Sequence, residues 1–250
     1  MNHVFTWLYP ASVVILLEIL FAYPRSIFWI APALILGIIF SVFSITNRKI
    51  DKMFFKHALS PIVYTVSGLL FVSIQEGFVL KHVAVFVIAI FLLVYLENMY
   101  VLWNDKEKHQ RYSMLNISSY FNIFAVFMLT SALYWLVFFL AFSSYTMLII
   151  LSISIFFLTF QTLVIAEFPL KKSLLFSSVI TFICGEIFIA EFSLPTSVYL
   201  NGAFLSMCYY FLVGITKNRL LNTLKPKIIL RYSLVFLICS LFMVITAKLA

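Results

Sequence analysis

Residues 146–172 read TMLIILSISIFFLTFQTLVIAEFPLKK, and this stretch decides the fold class. From Thr146 to Ala166 it contains no charged side chain. A helix of about 20 apolar residues is long enough to cross the hydrocarbon core of a bilayer. Glu167 ends the apolar segment, and Lys171 and Lys172 follow in a short connection. Because cytoplasmic loops collect Lys and Arg, the stretch predicts a transmembrane helix followed by a cytoplasmic loop.

Similar apolar segments with short connections continue in both directions along the chain. They predict an all-α, polytopic transmembrane helical bundle that forms a single integral membrane domain over residues 1–250. The fifth segment, 112–142, is too long for one perpendicular span, so 112–119 is expected to lie along the cytoplasmic interface or the helix to tilt. We predict nine spans, at about 5–23, 27–46, 57–74, 80–103, 119–142, 146–166, 173–192, 197–215 and 228–247.

The basic residues fall on alternate sides of these spans, which predicts the orientation. Only Arg25, Lys81 and Lys248 lie in odd-numbered connections or after the last span. The positive-inside rule therefore places the N-terminus in the cytoplasm and the C-terminus outside. An eight-span arrangement is the alternative, but it would leave one strongly basic connection outside. The even-numbered connections hold Arg48, Lys49, Lys52, Lys56, Lys106, Lys108, Arg111, Lys171, Lys172, Lys217, Arg219, Lys225, Lys227 and Arg231.

The composition excludes a water-soluble fold. Hydrophobic residues make up 64% of the chain and charged residues 10%, whereas soluble domains contain roughly 25% charged residues. The net charge of +8 is spread over short loops, where it matches anionic lipid headgroups. The predicted partner is therefore the lipid bilayer, with a second membrane protein as a further option that the sequence leaves open, and not a nucleic acid. No G-x-x-x-G motif occurs, so the helices are expected to pack through large interdigitated side chains.

No cofactor, metal site or catalytic residue is predicted. The three cysteines lie inside apolar segments without C-x-x-C spacing, and the four histidines lie at segment ends or in loops. The H-E-x-x-H, G-x-S-x-G and P-loop motifs do not occur in the sequence. The cysteines are Cys184, Cys208 and Cys239, and the histidines are His3, His57, His82 and His109.

Ionisable side chains inside predicted spans are the candidates for a functional site, because burying a charge in a bilayer is costly. Glu18, Glu186 and Asn201 are expected at similar depths near the outer ends of three spans, which allows an outward-facing ligand-binding cluster. Arg25 or Lys81 is the expected counter-ion. The alternative is that each glutamate is neutral or hydrogen-bonded to a neighbouring helix and contributes only to packing.

Glu191 is not expected to act together with Glu186. Five residues turn a helix through about 500°, which leaves the two carboxyl groups about 140° apart around the axis. We expect Glu191 to extend toward the membrane interface.

A second polar cluster is predicted near the cytoplasmic side. Glu97 and Asn98 lie at about the depth of His57. We interpret this cluster as a structural contact between helices, with a cytoplasmic vestibule as the alternative.

Residues 185–197, GEIFIAEFSLPTS, precede Asn201 and the sequence YYFLVG at 209–214. This region resembles uncharacterised small multi-pass membrane proteins of bacteria of the candidate phyla radiation. The resemblance implies a bacterial cytoplasmic membrane protein, without an assigned activity and without functional residues to transfer.

Three classes of function remain open. The first is a non-enzymatic membrane component or envelope assembly partner, which agrees with the short loops and the missing motifs. The second is a transporter or lipid-handling protein with an outward-facing polar pocket. The third is a membrane-embedded enzyme acting on a lipid-linked substrate, with Glu186 as general base; phosphate chemistry usually requires more cations or a metal than the outer side offers.

Overall fold

The computed structural model describes residues 3–46, 52–104, 113–194, 196–221 and 223–247. Within these ranges the regular structure is helical: nine α-helices and one short 3-10 helix, Pro24–Ser26. The α-helices are α1 Val4–Ala22, α2 Ile27–Ile45, α3 Lys52–Ser73, α4 Phe78–Asn104, α5 Ser113–Leu140, α6 Ser144–Ile165, α7 Leu170–Glu191, α8 Val198–Leu220 and α9 Pro226–Ala247.

Seven helical segments of the described chain are long and apolar enough to cross a membrane. They comprise α1, α4, α6, α7, α8, the segment Pro24–Ile45 around α2, and Met114–Leu140 of α5. In α3 the apolar part is shorter, His57–Ser73. The prediction of an all-helical fold with membrane-spanning helices is confirmed, whereas nine spans and the N-in, C-out orientation stay predictions.

α3 and α8 each extend five residues beyond a predicted boundary. α3 already begins at Lys52, and α8 continues to Leu220 instead of ending at Ile215. Lys217 and Arg219 therefore lie in the last turn of α8, where cations interact favourably with the helix dipole. Several residues used to predict the orientation lie outside the described residues: Arg48, Lys49, Lys106, Lys108, Arg111 and Lys248.

The predicted interfacial segment at the start of the fifth span continues directly into the span. α5 is one helix from Ser113 to Leu140. It ends before Ala141, whose positive φ of 53° turns the chain toward α6. Tyr112 lies outside the described residues.

The chain forms two compact units, Met1–Asn122 and Ile123–Ala250. In the first unit, α1 packs against α2 and α4, and α2 packs against α3. Leu17 of α1, Ile38 of α2 and Leu92 of α4 are fully or almost fully buried in its core. The packing of α1 against α4, which are not consecutive in the chain, positions the polar pairs described below.

A proline in α3 determines one polar contact of the first unit. Pro61 has no N–H, so the carbonyl of His57, four residues earlier, lacks its usual helical donor. The hydroxyl of Tyr95 on α4 donates a hydrogen bond of 2.9 Å to this carbonyl. His57 is 2% exposed, and its backbone thus links α3 to α4.

The core of the first unit also contains a stack of three aromatic rings. Phe121, in the first half of α5, stacks on Tyr64 with ring centroids 3.9 Å apart and on Tyr95 at 4.5 Å. All three side chains are at most 1% exposed. This stack agrees with the expected packing through large side chains.

In the second unit, consecutive helices pack against each other, α6 on α7, α7 on α8 and α8 on α9. Gly202 of α8 lies against α5: a Cβ atom at this position would be 3.0 Å from the backbone N of Ser131 and 3.1 Å from the carbonyl O of Phe127. The expectation that large side chains dominate packing is therefore wrong at this contact. A single glycine opposite a serine permits close approach without a G-x-x-x-G motif.

Candidate functional site

Glu18, the first residue of the predicted outer cluster, pairs with a histidine of α4. Its Oε1 lies 2.7 Å from Nδ1 of His82. The rings of Phe21 and Phe78 contact the imidazole edge to face. The partner of Glu18 is thus His82, and not the expected Arg25 or Lys81; the ammonium of Lys81 lies 5.3 Å from the centre of the Phe21 ring.

Glu97 of α4 forms a second polar contact between α4 and the N-terminal end of α1. Its Oε2 lies 3.1 Å from Nε2 of His3, and its Oε1 accepts a hydrogen bond of 2.6 Å from the hydroxyl of Thr6. Its hydrogen bonds thus go to α1, while the neighbouring Asn98 donates to the carbonyl of Val94 at 2.8 Å.

The two His–Glu pairs are reciprocal. Glu18 of α1 follows His3, the residue just before this helix, by 15 positions, and Glu97 follows His82 by 15 positions on α4. Each pair therefore joins one histidine to one glutamate of the other helix. The two pairs lie about 22 Å apart along the helix axes, at 1.5 Å per residue. This arrangement fits two antiparallel helices in register, and it explains both glutamates as contacts between helices.

Glu186 is exposed and lies in an open groove between α6 and α7. The groove has a volume of about 570 Å³. Its walls include the rings of Phe156, Phe157 and Phe182, together with the hydroxyl groups of Ser152 and Ser178. Among the described residues that line the groove, Glu186 is the only ionisable one. A carboxyl group thus lies in an open, aromatic groove of two helices that are long and apolar enough to span a membrane.

Asn201, near the start of α8, is completely buried. Its Oδ1 accepts a hydrogen bond from the hydroxyl of Thr196, while its Nδ2 has no hydrogen-bond partner among the described residues. Because Glu186 is exposed and Asn201 is buried, the two side chains do not face the same space. Glu18 belongs to the first unit, whereas Glu186 and Asn201 belong to the second.

Glu191, which we expected to extend toward the interface, is instead buried in the second unit. It is 1% exposed, and its Oε2 contacts the hydroxyl of Tyr134 on α5. The same hydroxyl lies 2.9 Å from the carbonyl O of Phe188. The spacing of Cys184, Phe188 and Glu191 at i, i+4 and i+7 places them on one helix face. This spacing is visible in the sequence alone.

The buried carboxyl group has two thiols nearby. Cys184 on α7 and Cys208 on α8 are free and buried, and both lie within electrostatic range of Glu191 and of each other. Throughout the described part of the chain no group of three or more His, Cys, Asp or Glu side chains has a geometry suited to a metal ion. The third cysteine, Cys239, has a side chain outside the described set.

Comparison with known protein families gives a match. A family described as "Protein of unknown function (DUF5656)" matches residues 43–246, which include the α6–α7 groove and the buried Glu191. No curated protein and no solved structure matches the chain. Because the match covers most of the chain, this membrane-spanning helical protein belongs to the DUF5656 family, whose function is unknown.

Proposed function

We propose that the protein is a non-enzymatic membrane component that binds a lipid-like molecule in the groove between α6 and α7. One observation carries this proposal: Glu186 is exposed inside an aromatic groove on two helices that are apolar enough to span a membrane. An uncovered carboxylate facing acyl chains is costly. A bound amphiphile offsets this cost when its polar head donates a hydrogen bond or a positive charge to Glu186.

The lining of the groove indicates the chemical class of the ligand. Phe156, Phe157 and Phe182 suit an acyl chain, and the hydroxyl groups of Ser152 and Ser178 lie beside them. The described lining contains no basic side chain, so a phosphate headgroup would find no counter-charge there. We therefore infer an amphiphile whose head is an ammonium or a hydroxyl group.

Binding explains the site better than catalysis does. General acid–base chemistry on a lipid-linked substrate requires groups that converge on the reacting atoms. Glu186 is one carboxyl group in its groove, Glu18 is paired with His82, and Asn201 contacts Thr196 inside the second unit. The polar residues thus support a binding protein with internal contacts between helices rather than an enzyme.

The groove is tested with stearylamine and stearic acid that carry a nitroxide near the end of the acyl chain. Electron paramagnetic resonance of the protein in neutral vesicles measures the motionally restricted fraction of each probe. We expect the wild type to restrict stearylamine more than stearic acid. Glu186→Gln should abolish this preference because it removes the charge and leaves the groove, whereas Gly185→Leu should reduce restriction of both probes because its side chain fills the groove.

Leu175→Phe is the matched control, since Leu175 is exposed on the same helix but does not line the groove. It should leave both probes unchanged. An equal preference for stearylamine in the wild type and in Glu186→Gln would contradict the proposal. If Glu186→Gln instead releases a co-purifying polypeptide and leaves the probes unchanged, a membrane-protein partner occupies the groove and the lipid proposal is wrong.

We also propose nine spans in a bacterial cytoplasmic membrane, with the N-terminus inside. The charge asymmetry of the connections supports this orientation, and it requires α3 and α9 to cross as well. A periplasm-active phosphatase fused after Ala250 should be active, and the same enzyme inserted at 221–225 should be inactive. Fluorescent protein, which folds in the cytoplasm, should give the opposite pattern. Phosphatase activity at 221–225 with silence after Ala250 would exclude the N-in arrangement.

A further inference from the structure

The interior of the second unit contains polar atoms that lack a hydrogen-bond partner. Among the described residues these atoms include the hydroxyls of Ser131 and Thr159, and the hydroxyls of Ser173 and Ser177 on α7. All four side chains are completely buried. By contrast, Ser178, which is exposed on α7, donates to the carbonyl of Leu174 at 3.0 Å. Because an unsatisfied polar group is costly inside a protein and in a bilayer, the buried hydroxyls indicate an interior that holds water.

Two of the unpartnered atoms are complementary to each other. Oε1 of Glu191 is an acceptor without a partner, and Nδ2 of Asn201 is a donor without a partner in the described chain. Glu191 is 1% exposed and Asn201 is 0% exposed. A water molecule accepts from the amide and donates to the carboxyl oxygen, so one water satisfies both groups.

The helices place these two side chains at the same height. α7 and α8 follow one another through a short connection and pack against each other, so they run antiparallel. Cys184 and Cys208 lie within electrostatic range across this hairpin. Glu191 lies two helical turns after Cys184, and Asn201 lies two turns before Cys208. Both residues therefore lie about two helical turns nearer the α7–α8 connection than the two thiols, and at the same height as each other.

The hydrogen-bond pattern at Tyr134 favours a proton on Glu191. The hydroxyl of Tyr134 lies within hydrogen-bonding distance of the carbonyl O of Phe188 and of Oε2 of Glu191. A phenol has one hydrogen, and a carbonyl has none to donate. Both contacts are hydrogen bonds when protonated Glu191 donates to the Tyr134 oxygen and Tyr134 donates to Phe188.

We propose that Glu191, Tyr134 and Asn201 form a buried binding site for one proton and one water molecule. When the site releases its proton, the Glu191 carboxyl group turns so that its O–H points away from Tyr134 and toward the water held by Nδ2 of Asn201. This O–H bond then breaks, and the proton passes to the water, which carries it away as hydronium. The carboxylate then accepts a hydrogen bond from Tyr134. Rebinding reverses these steps, and no electron transfer is involved.

None of the other described titratable groups around Glu191 is a cation that could pair with its carboxylate. The titratable side chains within range are Tyr134 from α5, Cys184 from α7 and Cys208 from α8. The buried residues of α6 include no ionisable side chain. In this described surrounding no cation is available to pair with a carboxylate, which favours the protonated form.

Infrared spectroscopy of the protein in lipid tests the site directly. At neutral pH the wild type should show the C=O stretch of a protonated carboxyl group, and Glu191→Gln should lack it. Glu186→Gln is the matched control, because it removes an exposed carboxyl group of the same helix and should keep the band. Transfer to D2O should shift the band while the protein stays folded, since water reaches the site.

Asn201→Leu removes the amide that holds the water. It should slow the D2O-induced shift by about threefold to tenfold, which is the effect of losing one hydrogen bond. Tyr134→Phe should move the band but keep it, because the carboxyl group loses its acceptor and not its proton. These two variants decide the question if Glu191→Gln does not fold. If the wild type shows no Glu191 band, the carboxyl group is charged. If the band does not shift in D2O while the protein stays folded, Glu191 is a structural acid without access to water. Either result overturns the proposal.

Discussion

Replacing Phe121 by alanine is expected to lower the free energy of unfolding by roughly 3–5 kcal/mol, the range for removal of a buried Phe side chain. Phe121 is 1% exposed and lies between the rings of Tyr64 and Tyr95, with centroids 3.9 Å and 4.5 Å away. In a bilayer the loss arises mainly from dispersion contacts, because lipid chains are as apolar as the protein interior.

The loss extends beyond the cavity itself. Tyr95 is held between the Phe121 ring and the carbonyl of His57, to which its hydroxyl donates at 2.9 Å. Without the ring, Tyr95 gains freedom, and the carbonyl left open by Pro61 loses a well-placed donor. Reversible unfolding in mixed micelles, followed by far-UV circular dichroism, measures the change.

Tyr120→Ala is the control for Phe121→Ala. Tyr120 is the preceding residue on α5 and is 57% exposed, so its removal creates no cavity. We expect a change of about 0.5 kcal/mol or less, as for most surface substitutions. Equal losses for the two variants would show that the aromatic stack contributes nothing specific.

Much of the helix pattern could be predicted because charge interrupts it so regularly. The segment from Thr146 to Ala166 contains no charged residue, and the helix Ser144–Ile165 corresponds to it closely. Errors occur where hydropathy and backbone hydrogen bonding end at different residues. α8 loses its apolar character near Ile215, but its backbone remains helical through Lys217 and Arg219.

The partners of the polar residues could not be predicted in the same way. The sequence showed that Glu18 and Glu97 lie inside spans, but not that α1 packs against α4, where His82 and His3 meet them. Helix neighbours depend on tertiary packing, and an apolar helix offers no face that distinguishes protein from lipid.

Glu191 illustrates the same limit. Its spacing from Cys184 and Phe188 was visible in the sequence, and it places the three on one helix face. α7 has apolar residues on all sides, so the pattern did not show whether this face was buried. The structure places Tyr134 of α5 against it, and the residue expected at the interface is a buried hydrogen-bonding group.

Replacing Gly202 by alanine is expected to destabilise the second unit by roughly 1–3 kcal/mol, the cost of overpacking a tight contact. The new Cβ atom would lie 3.0 Å from the backbone N of Ser131 and 3.1 Å from the carbonyl O of Phe127. Backbone atoms cannot rotate away as a side chain can, so α5 and α8 must separate. Unfolding in mixed micelles, as for Phe121→Ala, measures the loss.

Gly185→Ala is the matched control, since Gly185 is also a helical glycine of the second unit. Its added Cβ atom would meet the end of the Leu148 side chain at 3.3 Å, and this side chain can move. Because alanine is a better helix former than glycine by roughly 0.5–1 kcal/mol, we expect no loss or a small gain in stability. Equal behaviour of the two variants would show that the α5–α8 contact is not tight.

A second substitution separates the side-chain part of the Gly202 clash from the backbone part. The hydroxyl of Ser131 is the atom nearest to the position of the added Cβ. Ser131→Gly in the Gly202→Ala background should therefore recover only part of the stability, because the backbone atoms of Ser131 and Phe127 still obstruct the methyl group. Full recovery would mean that the hydroxyl alone sets the distance between the helices. Partial recovery would mean that the two backbones themselves are in contact, so that glycine is required at position 202.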